Sequence, residues 1–194
     1  MKQLITDTIR QSVSVKNEIL NDPVLIETIE KVAGEMVTCF RNGGKVLFCG
    51  NGGSAADAQH LAAELSGRYY YDRDPLPAEA LHVNTSYLTA VANDYSFDEI
   101  YARMVKGMGR KGDMLIGFST SGNSANVVKA FKQALEKGMI TAAFTGKTGG
   151  KLQESSCYLL NVPSTDTPRI QESHIMIGHI ICQLVESALF PRGK

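Results

Sequence analysis

The stretch that decides the fold is GDMLIGF at residues 112–118, followed directly by STSGNS at 119–124 and ANVVKAF at 125–131. The first part is a short apolar run typical of a buried strand, and the last has helical spacing. Between them, four hydroxyl side chains lie beside the first N–H groups of the helix, which have no partner within the helix and stand at the positive end of its dipole. This loop predicts a phosphate site, which we favour over the simpler alternative of turn and N-cap residues.

A second loop repeats the pattern. An apolar, β-rich run at 45–49 is followed by GNGGS at 50–54 and by a helical run at 55–67. Glycines let a ligand approach the backbone closely, but this loop has neither the spacing of a dinucleotide fingerprint nor the Gly-Lys-Ser/Thr ending of a P-loop. Two such loops predict a polar crevice at the C-terminal edge of a parallel sheet.

Strands and helices alternate along the chain after two N-terminal helices. The predicted strands are 45–49, 78–83, 113–118, 139–144 and 157–162. The predicted helices are 2–20, 23–41, 55–67, 86–93, 97–108, 124–137 and 168–189, with a short helical turn after the fourth strand. This alternation predicts an α/β fold with a parallel sheet covered on both faces. The first helix pair has no strand of its own to cover, so we expect it to pack against a neighbouring subunit, a docked terminal hairpin being the alternative.

The composition excludes several classes of protein. The chain has 194 residues, 43% of them hydrophobic, and no formal net charge, which suits one domain over 1–194 that includes the helical segment 1–42. We expect no nucleic-acid partner, no membrane partner and no signal peptide. The cysteines are separated and lie in apolar surroundings, which favours reduced, buried thiols in a cytoplasmic protein; they are Cys39, Cys49, Cys157 and Cys182.

Two helices carry residue types suited to acid/base or metal chemistry. His60 and Glu64 are one turn apart, and Gln171 and His179 are eight positions apart on one side of the last helix. The four groups can converge on one point as an N/O ligand set for zinc or a similar ion, or as an acid/base set without a metal. We expect their helices to lie in different layers, or at different distances from the sheet edge, so that the site forms at a subunit contact.

Each of these residues also has an ordinary structural explanation. A lone helical histidine is usually structural, and we assign His82 and His174 to that class. A glutamate near an arginine such as Arg68 usually forms a surface ion pair.

Four segments together resemble the sugar-isomerase (SIS) family, and within it the branch that isomerises seven-carbon sugar phosphates. They are CGNGGSAADAQH at 49–60, ANDY at 92–95, FSTSGNS at 118–124 and TPRIQESHI at 167–175. The resemblance runs essentially end to end. Its motifs are specific in combination, although the two loops alone recur across the whole family.

The resemblance implies a three-layer α/β/α sandwich with a five-stranded parallel sheet of flavodoxin-like order, preceded by the helical pair. It implies a homotetramer with active sites at subunit interfaces. The implied activity is conversion of D-sedoheptulose 7-phosphate to D-glycero-D-manno-heptose 7-phosphate through an enediol, the first step of ADP-heptose precursor synthesis for the lipopolysaccharide core.

The resemblance also implies the functional residues. The acid/base pair is Glu64 and His179. The sugar phosphate is held by Asn51, Gly52, Gly53, Ser54, Glu64, Arg68, Asn93, Asp94, Ser119, Thr120, Ser121, Ser124 and Gln171. One zinc ion per subunit is held by His60, Glu64, Gln171 and His179. Where some relatives carry an acidic residue this chain has Pro168, and nearby Asp166 is either a substitute or a helix N-cap.

In this hypothesis Glu64 moves a proton between neighbouring carbons, and His179 moves one between their oxygens because a histidine titrates near neutrality. Ligation to zinc lowers the basicity of a carboxylate, so the two roles of Glu64 compete. The alternative function is a non-catalytic SIS tetramer that binds the bacterial replication initiator, but the presence of Glu64 and His179 favours the enzyme. A third hypothesis, a regulatory domain that senses a sugar phosphate, is less favoured because we expect no attached DNA-binding module.

Overall fold

A computed structural model describes residues 1–192, so the last two residues of the predicted domain lie outside it. Within this range the strands are β1 Val46–Gly50, β2 Ala78–Ala80, β3 Met114–Ser119, β4 Ile140–Thr145 and β5 Tyr158–Asn161. The α-helices are α1 Lys2–Leu20, α2 Pro23–Arg41, α3 Gly53–Ser66, α4 Thr85–Asp94, α5 Ile100–Met108, α6 Ala125–Glu136 and α7 Thr167–Leu189. Short 3-10 turns occur at Phe97–Glu99 and Gly150–Ser155.

The five strands form one parallel sheet in the order β2-β1-β3-β4-β5. Phe48 of β1 pairs with Ile116 of β3, and Ile116 pairs in turn with Ala142 of β4. The predicted five-stranded parallel sheet and its flavodoxin-like order are confirmed. The central strand is therefore β3, and the two polar loops follow β1 and β3, the pair at which the strand order reverses.

Alternate residues of the buried strands feed two separate hydrophobic cores. Met114, Ile116 and Phe118 join the core beneath α2, α3 and α7. Leu115, between them, joins the core beneath α4, α5 and α6. A strand that is buried on both faces has no polar side, which is why these segments are continuous apolar runs in the sequence.

Helices α3 and α7 lie in the same layer and pack against each other, which corrects the expectation of different layers. The right-handed crossover rule explains the difference, because the connections from β2 to β3 and from β3 to β4 fill the opposite face. Gly178 of α7 makes the contact close. A Cβ atom at this position would lie 2.4 Å from Cδ1 of Leu61 on α3, so only glycine permits the observed packing.

The N-terminal helices differ in how they are covered. Helix α2 packs on β5 and α7, and its buried residues, such as Ile29 and Met36, belong to the core. Helix α2 therefore does have a strand to cover, which corrects the premise of the expectation; a contact of the pair with a neighbouring subunit stays a prediction. Helix α1 lies outside α2 and α7 and buries only Val15 and Ile19.

The second strand is shorter than the predicted 78–83. The N–H of Leu81 still donates to the carbonyl of Phe48, but the chain then turns, with the N–H of Val83 donating to the carbonyl of Ala80. The side chain of Asn84 then accepts the N–H of Tyr87 and starts α4. The apolar run thus continues beyond the hydrogen-bonded ladder, which explains the overestimate.

All four cysteines are free, and Cys39, Cys49 and Cys182 are buried as predicted. The prediction is wrong for Cys157, which is exposed. This residue precedes β5, and β5 is an edge strand without a neighbour on its outer side. None of the helices between residues 1 and 192 combines the length and apolar character that a membrane crossing requires.

His174 is a core residue, as its structural assignment predicts. It is fully buried against Phe118 and Phe144, and its Nε2 lies 3.1 Å from the carbonyl oxygen of Thr145, so Nε2 carries the proton. Burial of the ring lowers its pKa to about 4, against the opposing effect of the Thr145 hydrogen bond. A second proton would place an unpaired charge in an apolar site.

We predict that His174 contributes to acid destabilisation. Between about pH 6.5 and pH 4 the unfolded chain binds a proton at this residue that the folded chain does not, so the free energy of unfolding falls by up to about 3 kcal/mol. In His174→Gln, whose amide can still donate to Thr145, that component should disappear. Urea denaturation of both proteins at pH 7 and pH 4.5 measures the difference, and equal pH dependence would contradict the assignment.

Candidate active site

The β3–α6 loop places its hydroxyl groups around the start of α6. Ser119 Oγ lies 2.9 Å from Ser124 Oγ, and Ser124 stands at the N-cap position of α6. The Ser124 hydroxyl therefore bonds to Ser119 rather than capping the helix. Ser121 Oγ accepts the N–H of Asn123, and the carbonyl of Thr120 accepts that of Gly146. The loop is thus ordered by its own hydrogen bonds, with the helix N-terminus beside the hydroxyls.

The β1–α3 loop depends on two glycines and a buried serine. Gly52 is the N-cap residue of α3 and has φ +58°, a left-handed value that favours glycine. A Cβ atom on Gly53 would lie 2.6 Å from Nε2 of Gln171, so the amide of Gln171 lies directly against this loop. Ser54 is buried in the first turn of α3, and its N–H donates to the carbonyl of Asn51.

A reciprocal pair of amide hydrogen bonds joins the two loops. Asn51 Nδ2 donates to Asn126 Oδ1, Asn126 Nδ2 donates to Asn51 Oδ1, and both distances are 2.9 Å. Gly50 and Phe118, at the ends of the two strands, are partners in the sheet. The loops therefore lie side by side at the C-terminal edge, as predicted. Sequence reasoning missed Asn126, for which the only signal is an amide placed two residues after an N-cap serine.

His60, Glu64 and His179 meet at one point within a single subunit. His60 Nε2 lies 3.0 Å from Glu64 Oε1 and 3.3 Å from His179 Nε2. Ligand atoms of all three residues lie within 4.8 Å of one another. Helical spacing supplies the first pair, and the close contact of α3 with α7 at Gly178 supplies the third group. The subunit contact that we expected for bringing these helices together is not required for these three residues.

The donor set of this cluster suits a divalent cation. Zinc accepts imidazole nitrogens and carboxylate oxygens as ligands. These three side chains would fill three of its usual four positions and leave one for a further ligand. Burial lowers the pKa of His179, and nearby His60 lowers it further while Glu64 opposes both effects. A neutral imidazole is the form that binds a metal or accepts a proton. The geometry thus fits both metal binding and acid/base chemistry.

Gln171 lies apart from this cluster in the same subunit. Eight residues separate it from His179 along α7, which corresponds to about 12 Å of helix rise. Its amide instead contacts Gly53. The structure therefore brings Gln171 to the β1–α3 loop and brings the other three predicted ligands together.

The remaining predicted residues are exposed. Asn93 Nδ2 donates to Asp94 Oδ1 at the end of α4, and Arg68 follows the end of α3. Within residues 1–192, no side-chain hydrogen bond or ion pair joins Arg68, Asn93 or Asp94 to the two loops, and Arg68 forms no surface ion pair. Asp166 stands at the N-cap position of α7 without a capping hydrogen bond from its side chain.

Two residues that the sequence analysis missed border the cluster. The ring of Tyr69 packs 5.7 Å from that of His179, centroid to centroid. Arg73 Nη2 donates to the backbone carbonyl of Glu64 at 2.8 Å. Both belong to the segment after α3, where the run YYYDRD has the polarity of an exposed turn and carries no motif that would mark it. His82, whose pKa burial lowers, lies outside the cluster, as its structural assignment requires.

Comparison with known proteins identifies the fold and close relatives. A model of the SIS domain matches residues 14–146. The chain is 51% identical over 190 residues to a phosphoheptose isomerase of Aneurinibacillus thermoaerophilus, covering 98% of this chain and 96% of the relative. The solved phosphoheptose isomerase of Neisseria gonorrhoeae superposes with a TM-score of 0.90 at 44% identity, covering 96% and 98%. That of Francisella tularensis gives 0.91 at 38% identity, covering 95% and 97%.

Proposed function

Because the chain belongs to the SIS domain family and, within it, to the phosphoheptose isomerases, we propose that it converts D-sedoheptulose 7-phosphate to D-glycero-D-manno-heptose 7-phosphate. The observation that carries the proposal is the meeting of Glu64 and His179 at His60, beside the helix that begins at the phosphate loop. A carboxylate and an imidazole whose proton-accepting atoms lie within 4.8 Å of each other are the groups that a ketose–aldose isomerisation requires. The alternative of a non-catalytic tetramer that binds a replication initiator is not favoured.

The phosphate end of the substrate binds at the two linked loops. Their hydroxyls and the N-termini of α3 and α6 offer neutral hydrogen-bond donors to a dianion. We include in the binding set the residues Asn51, Gly52, Gly53, Ser54, Glu64, Arg68, Asn93, Asp94, Ser119, Thr120, Ser121, Ser124 and Gln171. Since Oδ1 of Asn51 and one N–H of its Nδ2 are engaged with Asn126, Asn51 offers the phosphate its backbone N–H and the second N–H of Nδ2.

Two proton movements complete the reaction at the other end. Glu64 takes a proton from C1 of the ketose, the electrons of that C–H bond form the enediol double bond, and Glu64 returns the proton to C2. His179 accepts the proton of the C1 hydroxyl and delivers one to the former carbonyl oxygen on C2. One C–H and one O–H bond break and one of each forms, so the reaction needs no oxidant.

We propose that one zinc ion per subunit is held by His60, Glu64 and His179, with Gln171 as a fourth ligand supplied where a second subunit approaches. The ion, when bound, supplies electrostatic stabilisation for the negative charge that develops on the two reacting oxygens. The donor types and their mutual distances support this assignment.

A homotetramer is part of the proposal. Leu4, Ile5, Ile9 and Val13 of α1 are 50–71% exposed, and the last three are spaced one turn apart on one face of the helix. A continuous apolar stripe of this kind marks a protein contact. The stripe, together with the separation of Gln171 from the other ligands, supports active sites at subunit interfaces.

Three further features complete the proposal. Residues 1–194 form one SIS domain, and the four free cysteines support a cytoplasmic location. Use of the product in lipopolysaccharide precursor synthesis stays a prediction.

Activity on the seven-carbon substrate tests the function directly. We expect NMR to detect an aldose phosphate when the purified protein is incubated with sedoheptulose 7-phosphate. Glu64→Gln should fold normally and lose at least about a hundredfold in turnover, the usual scale for a general base. Glu79→Gln, an exposed carboxylate on β2, is the matched control. An inert wild-type protein would refute the function, and an active Glu64→Gln would remove Glu64 from it.

Zinc binding tests the metal assignment independently of activity. Titration of metal-free protein with zinc, in competition with a chromophoric chelator, should give one ion per chain. His179→Ala should bind zinc far more weakly, because it removes one of the two imidazole ligands of the proposed site. His82→Gln, at a histidine outside the cluster, should bind as the wild type does. Wild-type affinity in His179→Ala would exclude this ion site.

Substitution on α1 tests the assembly. Ile5→Lys combined with Ile9→Lys places two charges in the apolar stripe and should dissociate the tetramer, with loss of activity if the sites lie at interfaces. Light scattering after gel filtration measures the mass. Gln3→Lys combined with Asn17→Lys adds the same charge at two exposed polar positions of α1 and should leave the tetramer intact. A wild-type monomer with full activity would contradict the proposal.

A further inference from the structure

The guanidinium of Arg73 is buried at the C-terminal end of α3. Its side chain is 1% exposed. Nη2 donates to the carbonyl of Glu64 at 2.8 Å, and Nη1 donates to those of Leu65 at 2.8 Å and Gly67 at 3.1 Å. The last carbonyls of a helix lack partners within it and carry the negative end of its dipole. Arg73 therefore satisfies the end of α3 with both hydrogen bonds and charge.

Glu186 of α7 is the counter-ion of Arg73. Its side chain is also 1% exposed, and Oε1 accepts from Arg73 Nε at 3.1 Å. The same carboxylate accepts the backbone N–H groups of Tyr69 and Tyr70 at 3.1 and 2.9 Å. The charge is thus fully hydrogen-bonded, and the segment after α3 is fixed to α7.

This ion pair lies near Glu64 and His179, at the end of α3 that is opposite the β1–α3 loop. Helix α3 begins at the β1–α3 loop and carries Glu64 in its last turn. Arg73 binds the backbone carbonyl of Glu64 there. Glu186 lies about two turns beyond His179 on α7, and Tyr69, held by Glu186, packs against the His179 ring. The other end of α3 is held separately, through Asn51.

We propose that Arg73 and Glu186 are positioning residues for the isomerisation, fixing Glu64 and His179 relative to each other through the ends of their helices. This inference rests on the proposed function. Neither side chain is assigned to the substrate; Arg73 acts through the Glu64 backbone and Glu186 through Tyr69. Because the phosphate loop is anchored independently, loss of the pair impairs proton transfer and leaves substrate binding largely intact.

The conservative variant Arg73→Lys tests this separation. A lysine keeps the charge, but a single ammonium group cannot reach Glu186 and the carbonyls of α3 in the way that a planar fork does. We expect kcat to fall by about ten- to a hundredfold, the effect of displacing a reacting group by about 1 Å, with KM changed by less than about threefold. Zinc affinity should fall in parallel.

Arg41→Lys is the matched control. Arg41 also donates through Nη2 to a carbonyl near the end of α7, that of Ala188 at 3.2 Å, but it is exposed and approaches from α2. This variant should keep kcat, KM and zinc affinity.

The double variant Arg73→Met with Glu186→Leu separates positioning from the cost of an unpaired charge. It leaves no buried charge without a partner, but the carbonyls of α3 and the N–H groups of Tyr69 and Tyr70 lose theirs, so we expect its Tm to fall. Assayed at a temperature at which circular dichroism shows it fully folded, its kcat should stay low, because no donor then reaches the Glu64 carbonyl. Wild-type kcat in the folded double variant would show that the pair is merely structural and that the inference is wrong.

Two readouts separate this inference from the proposed function. If the wild type does not isomerise sedoheptulose 7-phosphate, the function fails, but zinc affinity and amide hydrogen exchange over residues 61–70 still report on the ion pair. Faster exchange and weaker zinc binding in Arg73→Lys support the positioning role. Unchanged exchange, zinc affinity and kcat in both folded variants would overturn it.

Discussion

The close contact between α3 and α7 is the constraint on which the rest of the site depends. Gly178 leaves room for Leu61, and the two helices then run side by side over one face of the sheet. His60 and Glu64 come from α3 and His179 from α7, so the three side chains meet because the two helices pack closely. A Cβ atom at position 178 would lie only 2.4 Å from Cδ1 of Leu61, so Leu61 or one of the two helices would have to shift, and the three groups depend on that contact.

The two ends of helix α3 contribute different groups to the proposed site. Its first residues lie in the β1–α3 loop, the proposed phosphate site, which combines glycines and helix N-terminal N–H groups and contains no lysine or arginine. Its last turns carry Glu64, where a buried cation, Arg73, meets the opposite end of the dipole. An anionic ligand at one end and a cationic side chain at the other both match the polarity of the helix. The electrostatics of the site therefore follow from the orientation of one helix.

The sequence was sufficient to predict the elements that depend on local pattern. Alternating apolar runs and helical spacing predict the parallel sheet, and the i, i+4 spacing predicts the pairing of His60 with Glu64. Packing between distant segments was not predicted, because sequence periodicity does not show on which face of the sheet a connecting helix lies. The shared layer of α3 and α7 is one case. Asn126 and Arg73 are others: each looks like an ordinary polar residue near a helix end, and its partner lies 75 or more positions away, or on a backbone carbonyl.

The reciprocal amide pair of Asn51 and Asn126 has a consequence for the entropy of binding. Two separate loops that closed on a phosphate only when it arrived would each lose conformational freedom at that moment, and the loss would weaken affinity. Here the loops are already tied to each other by two hydrogen bonds at 2.9 Å. The conformational entropy of the two loops is lost during folding, when burial of the sheet residues beneath the loops compensates for the loss. A phosphate bound as proposed would therefore meet two loops whose relative position is already set, and little of its binding energy would be spent on ordering the protein.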